Sequence, residues 1–128
     1  MNNIRDERQH TVFTWGVAAF GEDQMVSTAQ RGLRLAEEAI ECAQACGCDP
    51  ATLHKLIDYV YARPIGAIGA EIGGVQVCVL ALAACVGVSA DDAEQLEISR
   101  VTSKPASHFT QRNQEKNDAG FIAESLKS

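Results

Sequence analysis

The chain has 128 residues, a length that suits one domain of ordinary size. Its 11 basic and 17 acidic residues leave a net charge of −6, which argues against wrapping a nucleic-acid polymer. Apolar residues make up 46%, enough to fill a core and to exclude global disorder.

The amino-terminal stretch MNNIRDERQH is polar and has no signal-peptide apolar region. The longest uncharged apolar run, Val75 to Val88, contains Gln76 and is short for a bilayer span, so no membrane association is expected. Five cysteines (Cys42, Cys46, Cys48, Cys78 and Cys85) make an odd number in a helix-rich chain, which points to reduced thiols and a cytoplasmic protein. The spacing C-x3-C-x-C-x5-H from Cys42 to His54 is not a usual zinc pattern, and these thiols read better as small apolar filler.

A first helix is expected over about Ile4 to Phe20, closed by Gly21, with Val12, Trp15, Ala18 and Ala19 at helical spacing. Glu22 to Met25 reads as a connection. Ser27 or Thr28 caps a second helix that runs to Cys46 and stops at Gly47. Asp49-Pro50 opens a third helix, which ends near Arg63 ahead of Pro64. A fourth covers about Ala67 to Val86, and a fifth runs from Ala90 to about Thr102 behind a Ser89 cap. Pro105 breaks the pattern, and the polar tail beyond it is expected to fray. No segment alternates as a strand would. The expected fold is therefore all-α, a bundle of four to five helices in one domain over residues 1–128, with a polar tail from about 105.

On the second helix each residue steps about 100° around the axis. Leu33, Ala36, Ile40 and Ala43 form an apolar side, while Glu37, Glu38 and Glu41 share one arc. Carboxylates this close repel one another unless water or a cation screens them. The fourth helix has a single charged residue, Glu71, among Ile68, Ile72, Val75, Val77, Val79, Leu80 and Leu82. A helix apolar on nearly all sides is expected to be buried, and a carboxylate in it needs a partner. Arg31 and Arg34 could supply that partner. The alternative is a Mg2+ or Mn2+ ion shared with the glutamates of the second helix, since oxygen ligands suit hard cations.

Glu37-Glu38-x-x-Glu41, followed later by Glu71 in a glycine- and valine-rich helix, resembles the MazG-like all-α nucleoside triphosphate pyrophosphohydrolases. RGLRLAEEAIECAQACGC resembles that family's first motif helix, and EIGGVQVCVLALAACVGV its second. The stretches TWGVAAFGED and LIDYVYARPIG add to the likeness, which spans about Trp15 to Lys104. The family's second motif usually reads ExxD, and here Gly74 stands in place of the aspartate; Asp58 and Gln76 are the candidates to substitute.

The resemblance implies Mg2+-dependent cleavage of a nucleoside triphosphate to the monophosphate and pyrophosphate. It assigns Glu37, Glu38, Glu41 and Glu71 to the metal, with Glu38 or Glu41 as general base. It also implies a homodimer or dimer of dimers.

Residues 99–128 hold five basic and three acidic side chains, against six and fourteen in the rest. Lys104, Arg112 and Lys116 are therefore candidates for the outer phosphates, together with Arg34, and Trp15 for stacking on a base. The alternative reading is a non-catalytic helical nucleotide-binding or assembly module with an incomplete metal site.

Overall fold

The computed structural model describes residues 3–127. Among them are seven α-helices and no strand: α1 (Ile4–Phe20), α2 (Glu22–Met25), α3 (Thr28–Ala45), α4 (Pro50–Tyr61), α5 (Ile68–Val86), α6 (Ala90–Thr102) and α7 (Ala106–Asp118). A 3-10 turn, Glu124–Leu126, follows. The all-α expectation holds, with more helices than the four or five expected.

The helix ends follow from local chemistry. Asn3 Oδ1 accepts from the Asp6 amide at 2.9 Å to open α1. Gly21, at φ 89°, closes it and donates to the Val17 carbonyl. Ser27 Oγ accepts from the Gln30 amide at the start of α3, and Asp49 Oδ1 accepts from Thr52 at the start of α4. Ser89 Oγ accepts from the Asp92 amide at the start of α6. Gly87, at φ 72°, ends α5, and Val88 then donates to the Ala83 carbonyl. The connection expected over Glu22–Met25 is instead one helical turn. Its Met25 side chain lies against Gly16, where a β-carbon would overlap the Met25 sulfur.

The chain divides into two compact units, one joining Met1–Glu41 to Ile98–Ser128 and the other comprising Cys42–Glu97.

In the first unit α1 packs against α2 and α7. Trp15 sits edge-to-face with Phe20 and with the buried Phe109, at centroid distances of 5.3 and 5.1 Å. Thr110 Oγ1 donates to the carbonyl of Ala19, itself buried, at 2.6 Å. The tail expected to fray is therefore a helix followed by an anchored turn, with Phe109, Asn113 and Ala123 buried. Its sequence is too polar to betray this, because the contacts that order it come from residues about ninety positions away.

The second unit contains α4, α5 and most of α6, and none of its residues is buried. Ile72 is 54% exposed, Leu80 55% and Ile65 fully so. The expectation of a buried α5 is corrected: the helix is as apolar as foreseen, but none of its residues is buried. The five cysteines, expected as buried filler, are all exposed and free. By length and composition alone, the 19 residues of α5 are also long and apolar enough to cross a membrane.

Candidate functional site

Helix α3 carries the carboxylates. Leucines and alanines fill one side of it, and Glu37, Glu38 and Glu41 lie within little more than one turn of one another. Glu38 and Glu41 are exposed, and the Glu37 side chain is about one-third exposed. Glu37 Oε1 accepts from Lys116 Nζ of α7 at 2.9 Å. Two residues named separately from the sequence, one for metal and one for phosphate, thus meet in an ion pair.

Arg34 lies one turn before Glu38. Its Nη1 donates to the Phe121 carbonyl at 3.0 Å, and its Nη2 donates to Asn113 Oδ1 at 3.0 Å and Asn117 Oδ1 at 3.1 Å. Burial pulls its guanidinium below the usual pKa, and the neighbouring Glu37 acts in the opposite direction. Arg31 is lowered likewise, by burial first and then by Arg34. Arg31 Nε donates to the Gln24 carbonyl at 3.0 Å, and its guanidinium lies 5.6 Å from the Phe20 ring centre. Its Nη2 is buried with no hydrogen-bond partner among the described residues, as are Trp15 Nε1 and His108 Nε2.

Gln30 was not singled out from sequence. It is wholly buried, and its Oε1 accepts from the Ala123 amide at 2.7 Å. Gln24 Oε1 accepts from Asn113 Nδ2 at 2.8 Å. Gln30, Arg34 and the Lys116–Glu37 pair join α3 to α7 and the turn after it, and Gln24 joins α2 to α7. Phe109 is the one sequence signal that α7 packs, an aromatic in an otherwise polar stretch.

The remaining predicted residues lie elsewhere. Trp15 belongs to the aromatic cluster of α1 and α7. Lys104 and Arg112 are exposed. Glu71, expected to be buried, is exposed in the first turn of α5. Its carboxylate turns back against Gly66, where a β-carbon would overlap Glu71 Oε1. Tyr59 is 60% exposed, and the Arg63 guanidinium lies over its ring at 5.3 Å.

Among the described residues no three His, Cys, Asp or Glu side chains gather as a group able to hold a metal. That covers the cysteines near the end of α3. The Cys46 thiol is pushed up, by desolvation first and then by Cys42, Cys48 and Cys85. No family model, curated protein or solved structure matches this chain.

Proposed function

We propose that the chain is a divalent-metal-dependent nucleoside triphosphate pyrophosphohydrolase, cytoplasmic and assembled from two or four copies. One observation carries this reading. Three carboxylates within about a turn of α3 are flanked by two cations, Arg34 and Lys116, and Glu37 already accepts a positive charge at 2.9 Å. Acidic groups beside basic ones are what a metal-chelated polyphosphate requires.

In this reading Glu37, Glu38 and Glu41 would hold Mg2+ or Mn2+. An ion held there would supply charge neutralisation on the phosphates and a more acidic water. Glu38 or Glu41 would accept the proton of a water attacking the α-phosphorus. The bond to the bridging oxygen breaks and pyrophosphate departs. Arg34 and Lys116, with Lys104 and Arg112 from the same basic segment, neutralise the leaving group. Trp15 is the candidate to stack on the base.

Assembly is supported by the second unit. Leaving the apolar side chains of α5 in water is costly, at roughly 25 cal/mol per Å2 of apolar surface. An isologous contact of about 1,600 Å2 through α4 and α5 would cover much of that surface.

A second reading, a helical binding or assembly module without catalysis, is favoured by Gly74 in place of an acidic ligand and by the absence of a gathered metal group among the described residues. Pyrophosphate release from a panel of nucleoside triphosphates, with Mg2+ or Mn2+, decides between them. The enzyme reading requires release that stops on chelation and falls at least about a hundredfold in Glu41→Gln. A folded protein that releases no pyrophosphate from any nucleotide, in wild type and in Gly74→Asp alike, leaves the module reading.

A further inference from the structure

The second unit, Cys42–Glu97, has helices but no core. None of its residues is buried, whereas the first unit buries Ala19, Gln30, Phe109, Asn113 and Ala123. The chain exposes 9641 Å2. Two compact units of these lengths, counted separately, would expose about 8,000 Å2, which leaves roughly 1,700 Å2 in excess. The apolar share of it falls mainly on the second unit. Among the described residues that unit carries fifteen of the twenty-two exposed large apolar side chains, in under half of the chain. On α5 the half-buried Gln76, Leu82 and Ala83 mark the side turned toward the rest of the unit. At about 100° per residue, Gly73, Val77 and Ala84 stand on the opposite side, where Val77 is 66% exposed.

We propose that two copies build the core of the second unit between them. The side of α5 with Gly73, Val77 and Ala84 packs against its counterpart, with α4 alongside. Cys42–Glu97 holds its fold only in the pair, while the first unit stands in a single copy. The inference rests on assembly from two or four copies and adds what the pairing does. Shared by two copies, the excess amounts to about 3,400 Å2, twice a standard interface and within the range of obligate homodimers. At about 60 residues a single chain is marginally stable even with a core, and this unit has none. Charge also suits a second copy. Chains of net charge −6 repel, and between Arg63 and Asp91 the sequence carries a single charge, Glu71. A bilayer would cover α5 but not the exposed Leu56, Ile57 and Val60 of α4, a 12-residue helix too short to span and carrying His54, Lys55 and Asp58. Gly73 leaves room for close approach, since a β-carbon there meets nothing within 4 Å in one copy.

Hydrogen exchange of the full chain at several protein concentrations is the readout, with light scattering for mass. The monomer fraction of a pair rises as the inverse square root of concentration. A roughly hundredfold dilution should therefore speed exchange over 68–86 about tenfold and leave the amides of 15–19 and 109–113 unaltered. Gly73→Leu is compared with Gly32→Leu on α3, where a β-carbon likewise meets nothing within 4 Å. Both substitutions favour helix in a single copy, so a role confined to one chain predicts slower exchange in each. The pairing predicts that Gly73→Leu shifts the mass toward monomer and speeds exchange over 68–86 about tenfold or more, with Gly32→Leu still paired. Trp15 fluorescence confirms that the first unit is folded in both. A pair whose α5 exchange ignores dilution, or in which the two variants behave alike, overturns the shared core and leaves assembly through another surface. A monomer with slowly exchanging α5 overturns assembly altogether, and a monomer that binds phosphatidylcholine vesicles overturns it in favour of lipid. None of these outcomes bears on pyrophosphate release, which tests the enzyme reading separately.

Discussion

Replacing Gln30 by leucine isolates the polar part of the attachment between α3 and the carboxyl-terminal turn. Gln30 has no exposed surface, and its Oε1 is the partner of the buried Ala123 amide at 2.7 Å. Leucine nearly conserves the volume, so the cavity contribution is small. The amide left without a partner costs about 1–3 kcal/mol. The second contact, from Gln30 Nε2 to the Phe121 carbonyl, is 3.5 Å long and adds little. That carbonyl also keeps Arg34 Nη1 at 3.0 Å. For a chain of this size the loss corresponds to a Tm lower by about 3–12 °C. Trp15, the one tryptophan, lies in the same unit, so its fluorescence during urea unfolding reads the relevant transition. Hydrogen exchange at Ala123 reads the local effect. A stability change under about 0.5 kcal/mol, with the Ala123 amide still slow to exchange, would refute the reasoning.

Thr110→Val leaves the buried Ala19 carbonyl without its 2.6 Å donor and should cost about 1 kcal/mol in the same assay. The Asp49 carboxyl is held below its ordinary pKa, first by the Thr52 amide, so its contribution is present at neutral pH and disappears only as pH falls through that depressed value. The Thr52 amide shift should therefore titrate with a midpoint below about 3.9, the unperturbed aspartate value, and Asp49→Asn should abolish that titration. If α5 is covered by a second copy, wild type is a dimer or larger in light scattering and Leu80→Asp shifts it toward monomer. A wild-type monomer that partitions into lipid vesicles would assign the helix to membrane instead.

The helix termini were largely legible because their determinants are local. Ser27, Asp49 and Ser89 each sit within three residues of the amide they cap, and Gly21, Gly47 and Gly87 take up the positive φ that ends a helix. Helix α7 was not legible. Its sequence, ASHFTQRNQEKND, has no apolar stripe, and its order comes from Ala19, Gln24 and Arg34. The Lys116–Glu37 pair spans 79 positions, and only the contrast between a basic tail and an acidic remainder hinted at it. For α5, apolar residues on every side identify a helix that avoids water, but they do not say what keeps water away. Glu71 was misread for the same reason, since its burial was inferred from its neighbours in sequence.

The first unit is assembled from both ends of the chain, and this has a consequence during synthesis. The Ala123 amide lies 93 positions beyond Gln30, so at ~5–20 residues per second the ribosome needs about 5–20 s after Gln30 is made before its partner exists. Throughout that interval α1 and α3 lack α7, while α4 and α5 emerge in between with their apolar side chains uncovered. Phe109, Thr110 and the Ala123 amide thus reach Trp15, Ala19 and Gln30 only after the whole intervening unit has been made. Slowing translation after Val86 would lengthen the interval in which Ala19 and Gln30 lack these partners.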